Sequence, residues 1–327
     1  MALFPIRRLH IGLSISHRMV CAVEIGRDWR SGWRGLRLRQ CRSRELSTEL
    51  VRPSATEPNV SNVTALSDQL QALLDGRRSL SVALSLSDLC GRVALFDFET
   101  LPSKAAEREA LLRWRFQQDL NVPAADVRLA YRVFRAGPTQ FRVLAAVVRL
   151  DILDQYERAC EEAGLWPVSV GMASFRLFDL CRPAIKAATR SDELFFAHTG
   201  EGCFSFVALR RGVPVFLRVK PVRNGTAGGV VTPAAQLGDE LVATLQFYQD
   251  LYPVRGAEGM EPAPARPLFL VGDAALHSAM ERTGLDSLKV QVFPLGADDP
   301  TVLHRIHATG PLPVCALPAL AGALEGA

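Results

Sequence analysis

The chain has 327 residues, 48% of them hydrophobic and 22% charged, and a net charge of +4. That composition excludes a disordered chain and leaves room for two domains or one with a large core. The modest charge excludes a strongly polybasic protein, although basic residues gather between Arg27 and Arg52. They read as solvated strand and loop faces, with an acidic partner or an anionic membrane surface as the alternative.

The first ten residues, MALFPIRRLH, lack the apolar core of a secretory signal. The stretch IGLSISHRMVCAVEI follows, alternating apolar and small polar residues around Ser16-His17-Arg18, which predicts strand, turn, strand. A third strand with one wet face is expected in RGLRLRQCRSREL, then a polar loop over RPSATEPNVSNVT. ALSDQLQALLDG places Leu66, Leu70, Leu73 and Leu74 on one helical stripe ended by Gly76. SLSVALSLS and GRVALFDFETLP read as two more strands.

An α-β-β-α block comes next. SKAAEREALLRWRFQQDL is a helix with Ser103 as its expected N-cap and Leu112, Phe116 and Leu120 on one face. DVRLAYRVF and FRVLAAVVRL are strands about a Gly137-Pro138 turn, and DILDQYERACEEAG is a helix stopped at Gly164. LWPVSVGM returns as a strand and SFRLFDLCRPAIKAA as a helix. The second half repeats the opening: three strands over ELFFAHTGEGCFSFVALRRGVPVFLRVKPV, a Gly-rich loop, and the helix LGDELVATLQFYQDLY. The Pro-rich loop PVRGAEGMEPAPARP leads to LFLVGDAALHSAMERTG, expected as strand, glycine turn and helix. SLKVQVFPL is a last strand, and PVCALPALAGALEGA a closing helix interrupted at Pro318. A hairpin, a third strand and a helix thus occur twice, an order found in the actin and sugar-kinase superfold.

The seven cysteines are odd in number, scattered, and form no C-x-x-C pair. They predict free thiols in a reducing compartment, with neither a disulfide frame nor a zinc site. No run of about 18 apolar residues is present to span a bilayer. A cytoplasmic protein reaching the membrane only through a partner is therefore expected. No phosphate-loop, zinc-protease, nucleophile-elbow or dinucleotide fingerprint occurs.

Five segments resemble the PilM family of type IV pilus assembly and its relatives, MshI of the MSHA pilus and the cytoplasmic part of GspL in type II secretion. IGLSISHRMVCAVEI is similar to the family's opening hairpin, I-G-I-D-I-G-x-x-x-V-K-A-V-E-L. LPSKAAEREALLRWRFQQDLNVPAADVRLAYRVF and RVLAAVVRLDILDQYERACEEAGLWPVSVGMASFRLF resemble the segments around the inserted 1C subdomain. HTGEGCFSFVALRRGVPVFLRVKPV resembles the second phosphate hairpin, and LFLVGDAALHSAM the adenosine segment L-x-G-G-G-A.

The resemblance implies an α/β, actin-like (ribonuclease H-like), two-lobed ATPase superfold. It carries an inserted α-β-β-α 1C subdomain and a reduced or absent 2B subdomain, since only RNGTAGGVVTPAAQ separates the second hairpin from its helix. The implied divisions are 1–102 for the first part of subdomain 1A and 103–164 for 1C. They continue with 165–190 for the return to 1A, 191–310 for the second lobe and 311–327 for the closing segment.

The resemblance also implies where nucleotide would bind, and the sequence departs there. Magnesium is held through one or two carboxylates plus phosphate oxygens. Ser14 stands at the carboxylate position of the first hairpin and Ser16 at its glycine, with His17 beside them. In the second hairpin His198 replaces the family's Asp, while Thr199, Gly200 and Gly202 follow. Gly272 is kept in the adenosine segment, but Asp273 replaces the next glycine. An added anion about 4 Å from a phosphate costs roughly 4 kcal/mol at an effective dielectric near 20. The expectation is a degenerate nucleotide site with no catalytic residue, no metal and no cofactor; the alternative is an active ATPase or sugar-kinase-like enzyme binding Mg-ATP. A basic nucleic-acid module built on the early arginines is a third reading without a motif.

By resemblance, the partner is the cytoplasmic tail of a PilN-like single-span membrane protein, held in the 1A/1C region, with a pilus or secretion motor ATPase as a further contact. Trp114, Phe116, Tyr131 and Phe134 are the candidate groove residues, with a core role as their competing assignment.

Overall fold

A computed structural model of the protein describes residues 11–27, 36–123, 125–200, 202–222, 233–253, 265–272, 277–278, 285–297, 299–303, 306–307 and 312–325. The Gly-rich loop, most of the Pro-rich loop, Asp273, and most of the helix expected after Gly272 lie outside these residues. The chain divides into two compact units. The first comprises residues 1–90, 151–184 and 296–327, and the second residues 91–150 and 185–295.

The first unit is built on a six-stranded sheet. Its opening strands β1 (Ile11–Ile15), β2 (Met19–Arg27) and β3 (Leu36–Glu45) are antiparallel neighbours, as the alternation predicts. The turn closes because the Ser16 N–H donates to the Met19 carbonyl at 2.9 Å. Helix α1 (Val63–Leu73) follows, N-capped by the Asn62 side chain, with Leu66, Leu70 and Leu73 buried along one stripe. Strand β4 (Leu80–Leu86) then pairs parallel to β1, so the chain crosses over through α1.

The chain leaves this unit after Cys90 and returns in α3 (Leu150–Glu162), which buries Ile152, Leu153, Tyr156, Ala159 and Cys160. The Gln155 Oε1 atom accepts the backbone N–H groups of Asn59 and Val60, both at 2.8 Å, tying the 51–60 loop to α3. Gly164, at φ +74°, ends the turn after α3. Strand β8 (Leu165–Met172) lies parallel to β4 at the sheet edge, and α4 (Ala173–Ala188) follows. A short strand, Ile306–His307, which the sequence reading did not anticipate, pairs with β3 at the other edge.

The second unit carries a five-stranded sheet. Strands β9 (Glu193–Gly200), β10 (Cys203–Arg210) and β11 (Val213–Pro221) form an antiparallel meander. Arg211 and Gly212 both adopt positive φ, +50° and +76°, in its second turn. Helix α5 (Pro233–Leu251) crosses to β12 (Arg266–Val271), parallel to β9, and β13 (Val290–Leu295) lies parallel beyond it. Phe195, Ala197, Phe204, Phe206, Leu241, Leu245, Tyr248, Leu268 and Leu270 fill the core between sheet and α5.

Each sheet therefore runs third, second, first, fourth, fifth: β3-β2-β1-β4-β8 in one and β11-β10-β9-β12-β13 in the other. The duplicated order is that of the actin-like fold expected from the sequence. Residues 223–232, between β11 and α5, lie outside the described residues, so the expectation of a reduced or absent 2B subdomain falls there.

The inserted block differs from the sequence expectation at both ends. It is built as β-α-β-β: β5 (Arg92–Phe98), α2 (Ala105–Leu120), β6 (Val127–Arg135) and β7 (Phe141–Arg149), with sheet order β5-β7-β6. Alternation announces β5 as a strand but says nothing about which strand it joins, and it pairs antiparallel with β7. Helix α3, read as the closing helix of the block, packs in the first unit. The N-cap of α2 is Lys104, which makes no side-chain cap bond, instead of Ser103. Leu112 and Phe116 are buried as expected, but Leu120, in the last turn, is exposed.

The closing segment is a 3₁₀ turn, Val314–Ala316, running into α6 (Leu317–Glu325). Pro318 lies in the first turn of this helix and does not interrupt it, because the first turn needs no N–H from that position. Residues Leu317 to Ala323 are all buried. Helix α6 lies on β1 so closely that a Cβ on Gly12 would come within 1.7 Å of the Ala319 carbonyl oxygen. Only glycine permits that approach.

Candidate functional site

The sequence points to two hairpins and one inserted block. In the first hairpin the β1–β2 register pairs Ser14 with Cys21, and β4 places Ser85 on the other side of Ser14. Alternation sends Ser14 to the same face as Gly12, the face under α6 and its leading turn. There Ser14 is 7% exposed, and its hydroxyl donates to the Cys315 carbonyl at 3.4 Å. Ser85 Oγ likewise donates to the Pro318 carbonyl at 2.7 Å. Both hydroxyls serve the backbone of the closing segment.

Ser16 closes its own turn. Its hydroxyl donates to the Met19 carbonyl at 3.0 Å and accepts the Met19 N–H at 3.1 Å. His17 Nδ1 donates to the Val51 carbonyl at 2.6 Å, anchoring the hairpin to the following loop. Ser14, Ser16 and His17 thus share the end of β1, with Ser14 directed inward and the other two holding the turn.

A buried arginine fastens α6 to this sheet. Arg176 of α4, 4% exposed, meets Glu325 through both nitrogens of its fork, Nε to Oε1 at 3.0 Å and Nη2 to Oε2 at 2.8 Å. It also donates to Ser85 Oγ at 2.8 Å and Ser169 Oγ at 2.7 Å. No motif announces this network, since its members are spread from residue 85 to residue 325.

In the second hairpin His198, 7% exposed, lies opposite Ser205 on β10 and Val271 on β12. Thr199 and Gly200 finish β9, half-buried, and Gly202 begins the return at φ +74°. Gly272, buried, directly follows Val271, so it stands at the same end of the sheet as Thr199. The structure brings His198, Thr199, Gly200, Gly202 and Gly272 together at one end of two parallel neighbours; Asp273 lies outside the described residues. A Cβ on Gly200 would stand 3.2 Å from His198 Cε1, so the imidazole lies beside this glycine. Ser14 and His198 stand where the sequence resemblance expects carboxylates. Among the described residues no three His, Cys, Asp or Glu side chains gather as a metal site.

The four aromatic candidates of the inserted block do not share a face. Phe116 is core: 1% exposed, edge-on to Phe96 at 5.2 Å. Tyr131 lies opposite Ala145 on the helix-covered side, where Arg108 Nε donates to its hydroxyl at 3.3 Å. Trp114 stands on the outer side of α2 and is 54% exposed. Phe134 lies opposite Arg142 on the other face of the sheet, with the Arg132 guanidinium 5.5 Å from its ring.

That second face is what the sequence reading missed. Its rungs are Val93–Ala146–Ala130, Leu95–Leu144–Arg132 and Asp97–Arg142–Phe134, with Val148 beside Arg128. Val93, Leu95, Leu144, Ala146, Val148 and Phe134 are all half-buried. Arg142 pairs with Asp97 through two bonds, at 2.6 and 2.8 Å, and reaches the Pro214 carbonyl of β11 at 3.4 Å. The β5 side of the sheet thus lies beside β11, while β6 forms its opposite edge. The signal was present in VLAAVV of β7, a run without alternation, as in a strand apolar on both faces.

No protein-family model matches the sequence, and no curated protein matches it. Solved structures do. A chain of the PilM-PilN type IV pilus biogenesis complex matches with a TM-score of 0.73 at 19% identity, over 98% of this chain and 99% of that one. A protein of unknown function with an actin-like ATPase fold from Bacteroides thetaiotaomicron matches at 0.49 and 11% identity, over 90% and 94% of the two chains. The cytoplasmic domain of EpsL, an inner-membrane component of the type II secretion system of Vibrio cholerae, matches at 0.44 and 11%, over 97% and 95%. The first of these establishes that the chain has a PilM-like, actin-like fold along its whole length. Among the described residues no helix is long and apolar enough to cross a membrane.

Proposed function

We propose that the protein is a non-enzymatic adaptor of a type IV pilus or type II secretion assembly platform, holding the cytoplasmic tail of a PilN-like membrane protein. The observation that carries this reading is the half-buried apolar ladder Val93, Leu95, Leu144, Ala146, Val148 and Phe134 on the inserted sheet. It accompanies a full-length likeness to a chain solved in a PilM-PilN complex. An extended tail seats apolar side chains on such a ladder and adds main-chain bonds along the β6 edge. A motor ATPase is the second partner in this reading, and the protein works on the cytoplasmic side of the inner membrane through these partners.

The nucleotide site is degenerate in the same reading. Ser14 is engaged by the Cys315 carbonyl, and the His198 imidazole lies beside Gly200. Calorimetric titration with Mg-ATP is expected to give no binding heat; a saturable isotherm favours the ATPase alternative, for which the retained Gly200, Gly202 and Gly272 speak.

The adaptor role is tested by capture of a synthetic peptide copying the cytoplasmic tail of the membrane protein encoded beside this chain. Leu144→Glu and Phe134→Ala are expected to weaken capture about tenfold or more with folding intact, whereas exposed Trp114→Ala changes it by less than about twofold. Undiminished capture by Leu144→Glu removes the ladder from the interface.

A further inference from the structure

Independently of the adaptor role, the first hairpin carries a pair of thiols that the proposed function does not use. Cys21 of β2 is 1% exposed and lies opposite Ser14. Its S–H donates to the sulfur of Cys315 at 3.5 Å. Cys315 sits in the 3₁₀ turn that leads into α6, and it is only half-buried. One rung further along the same face, Cys41 of β3 lies opposite Val23, while Ser43 lies opposite Cys21. Three thiols therefore share one sheet face, but the two in sulfur contact are 294 positions apart in sequence.

We propose that Cys21 and Cys315 are an oxidant-sensitive dithiol, which a two-electron oxidant such as hydrogen peroxide converts into a disulfide locking the closing segment onto β2. A disulfide sulfur–sulfur bond is about 2.05 Å long, so the two sulfurs need approach by only about 1.5 Å. The accessible partner reacts first. The Cys315 thiolate attacks one peroxide oxygen and hydroxide leaves, giving a sulfenic acid. The Cys21 sulfur then attacks the sulfenic sulfur, its proton joins the departing oxygen, and water leaves. The two thiols lose two electrons and two protons, and one peroxide becomes two waters.

Cys21 is suited to the resolving role and not to first attack. Its contact with Cys315 and its burial hold the thiol protonated well above the usual range. Cys41, partly buried, is pushed up to about 11 and is no better a first nucleophile. The bond would fix the turn whose carbonyl holds Ser14, and with it the start of α6. In a reducing compartment, exchange with glutathione-type thiols reverses it, so the lock follows the oxidant load.

The test uses the full chain, treated with hydrogen peroxide, alkylated and digested with trypsin without reductant. Cys21 then resides in MVCAVEIGR, Cys41 in QCR, and Cys315 in the peptide that begins at Ile306. The expected product is MVCAVEIGR linked to the Ile306 peptide, with two of the seven thiols lost and both restored by dithiothreitol. Hydrogen exchange over Leu317–Glu325 is expected to slow by about an order of magnitude on oxidation. Cys315→Ser and, separately, Cys21→Ala are each expected to abolish the linked peptide; the second variant serves if the first does not fold. A Cys41–Cys315 link, or Cys315 recovered as sulfinic acid without any link, overturns the proposal.

Discussion

The two sheets share one strand order and one sequence of parallel and antiparallel neighbours, yet their first strands are finished in opposite ways. In the first unit the residue two before the hairpin's polar end is Gly12, and a helix backbone rests directly on it. In the second unit the corresponding residue, two before His198, is Phe196, 2% exposed, which fills its own space. One topology is thus closed once by approach of a main chain and once by bulk of a side chain. The duplicated fold fixes where a hairpin ends but leaves open what occupies its face: the α6 main chain in one unit, the Phe196 ring in the other.

Substitutions that exchange the two solutions break the comparison most severely. Gly12→Val drives a branched side chain into the Ala319 carbonyl; its cost is expected to exceed the about 1–3 kcal/mol usual for overpacking, with α6 released and protected amides lost from Leu317–Glu325. Phe196→Ala is the mirror experiment, leaving a cavity, and is expected to lower stability by about 3 kcal/mol in denaturant unfolding. Ser14→Asp, which supplies the carboxylate that the sequence resemblance expects there, sets a charge against the Cys315 carbonyl. It is expected to cost about 2 kcal/mol and to give no Mg-ATP binding in the same titration as the parent. Gly202→Ala has open space around its new Cβ but must hold φ +74°, so about 1 kcal/mol of backbone strain is expected, read as a small fall in thermal midpoint.

Local pattern made most elements legible. The alternation of IGLSI and MVCAVEI, the leucine stripe of α1 and the glycine stops at Gly76 and Gly164 all describe nearest-neighbour chemistry, which the chain carries in order. What escaped was pairing at a distance. β5 gives the same alternation whether it joins β4 or β7, and only the partner's register decides. The hairpins themselves were legible, with Ser14 near the end of one first strand and His198 near the end of the other. The reason Ser14 is directed inward was not, because its partner is a carbonyl 301 positions away. Phe116 and Trp114, two residues apart on α2, show why an aromatic count does not define a groove: one is core and the other faces solvent.

The discontinuity of the first unit has a consequence for its birth on the ribosome. Its sheet begins at Ile11, but the helix that covers Gly12 and Ser14 is translated only after every residue of the second unit. The second unit has its whole sequence in hand while β1 still exposes a bare stripe to solvent. Nascent chains stalled before Leu317 are therefore the species on which chaperones have most to hold.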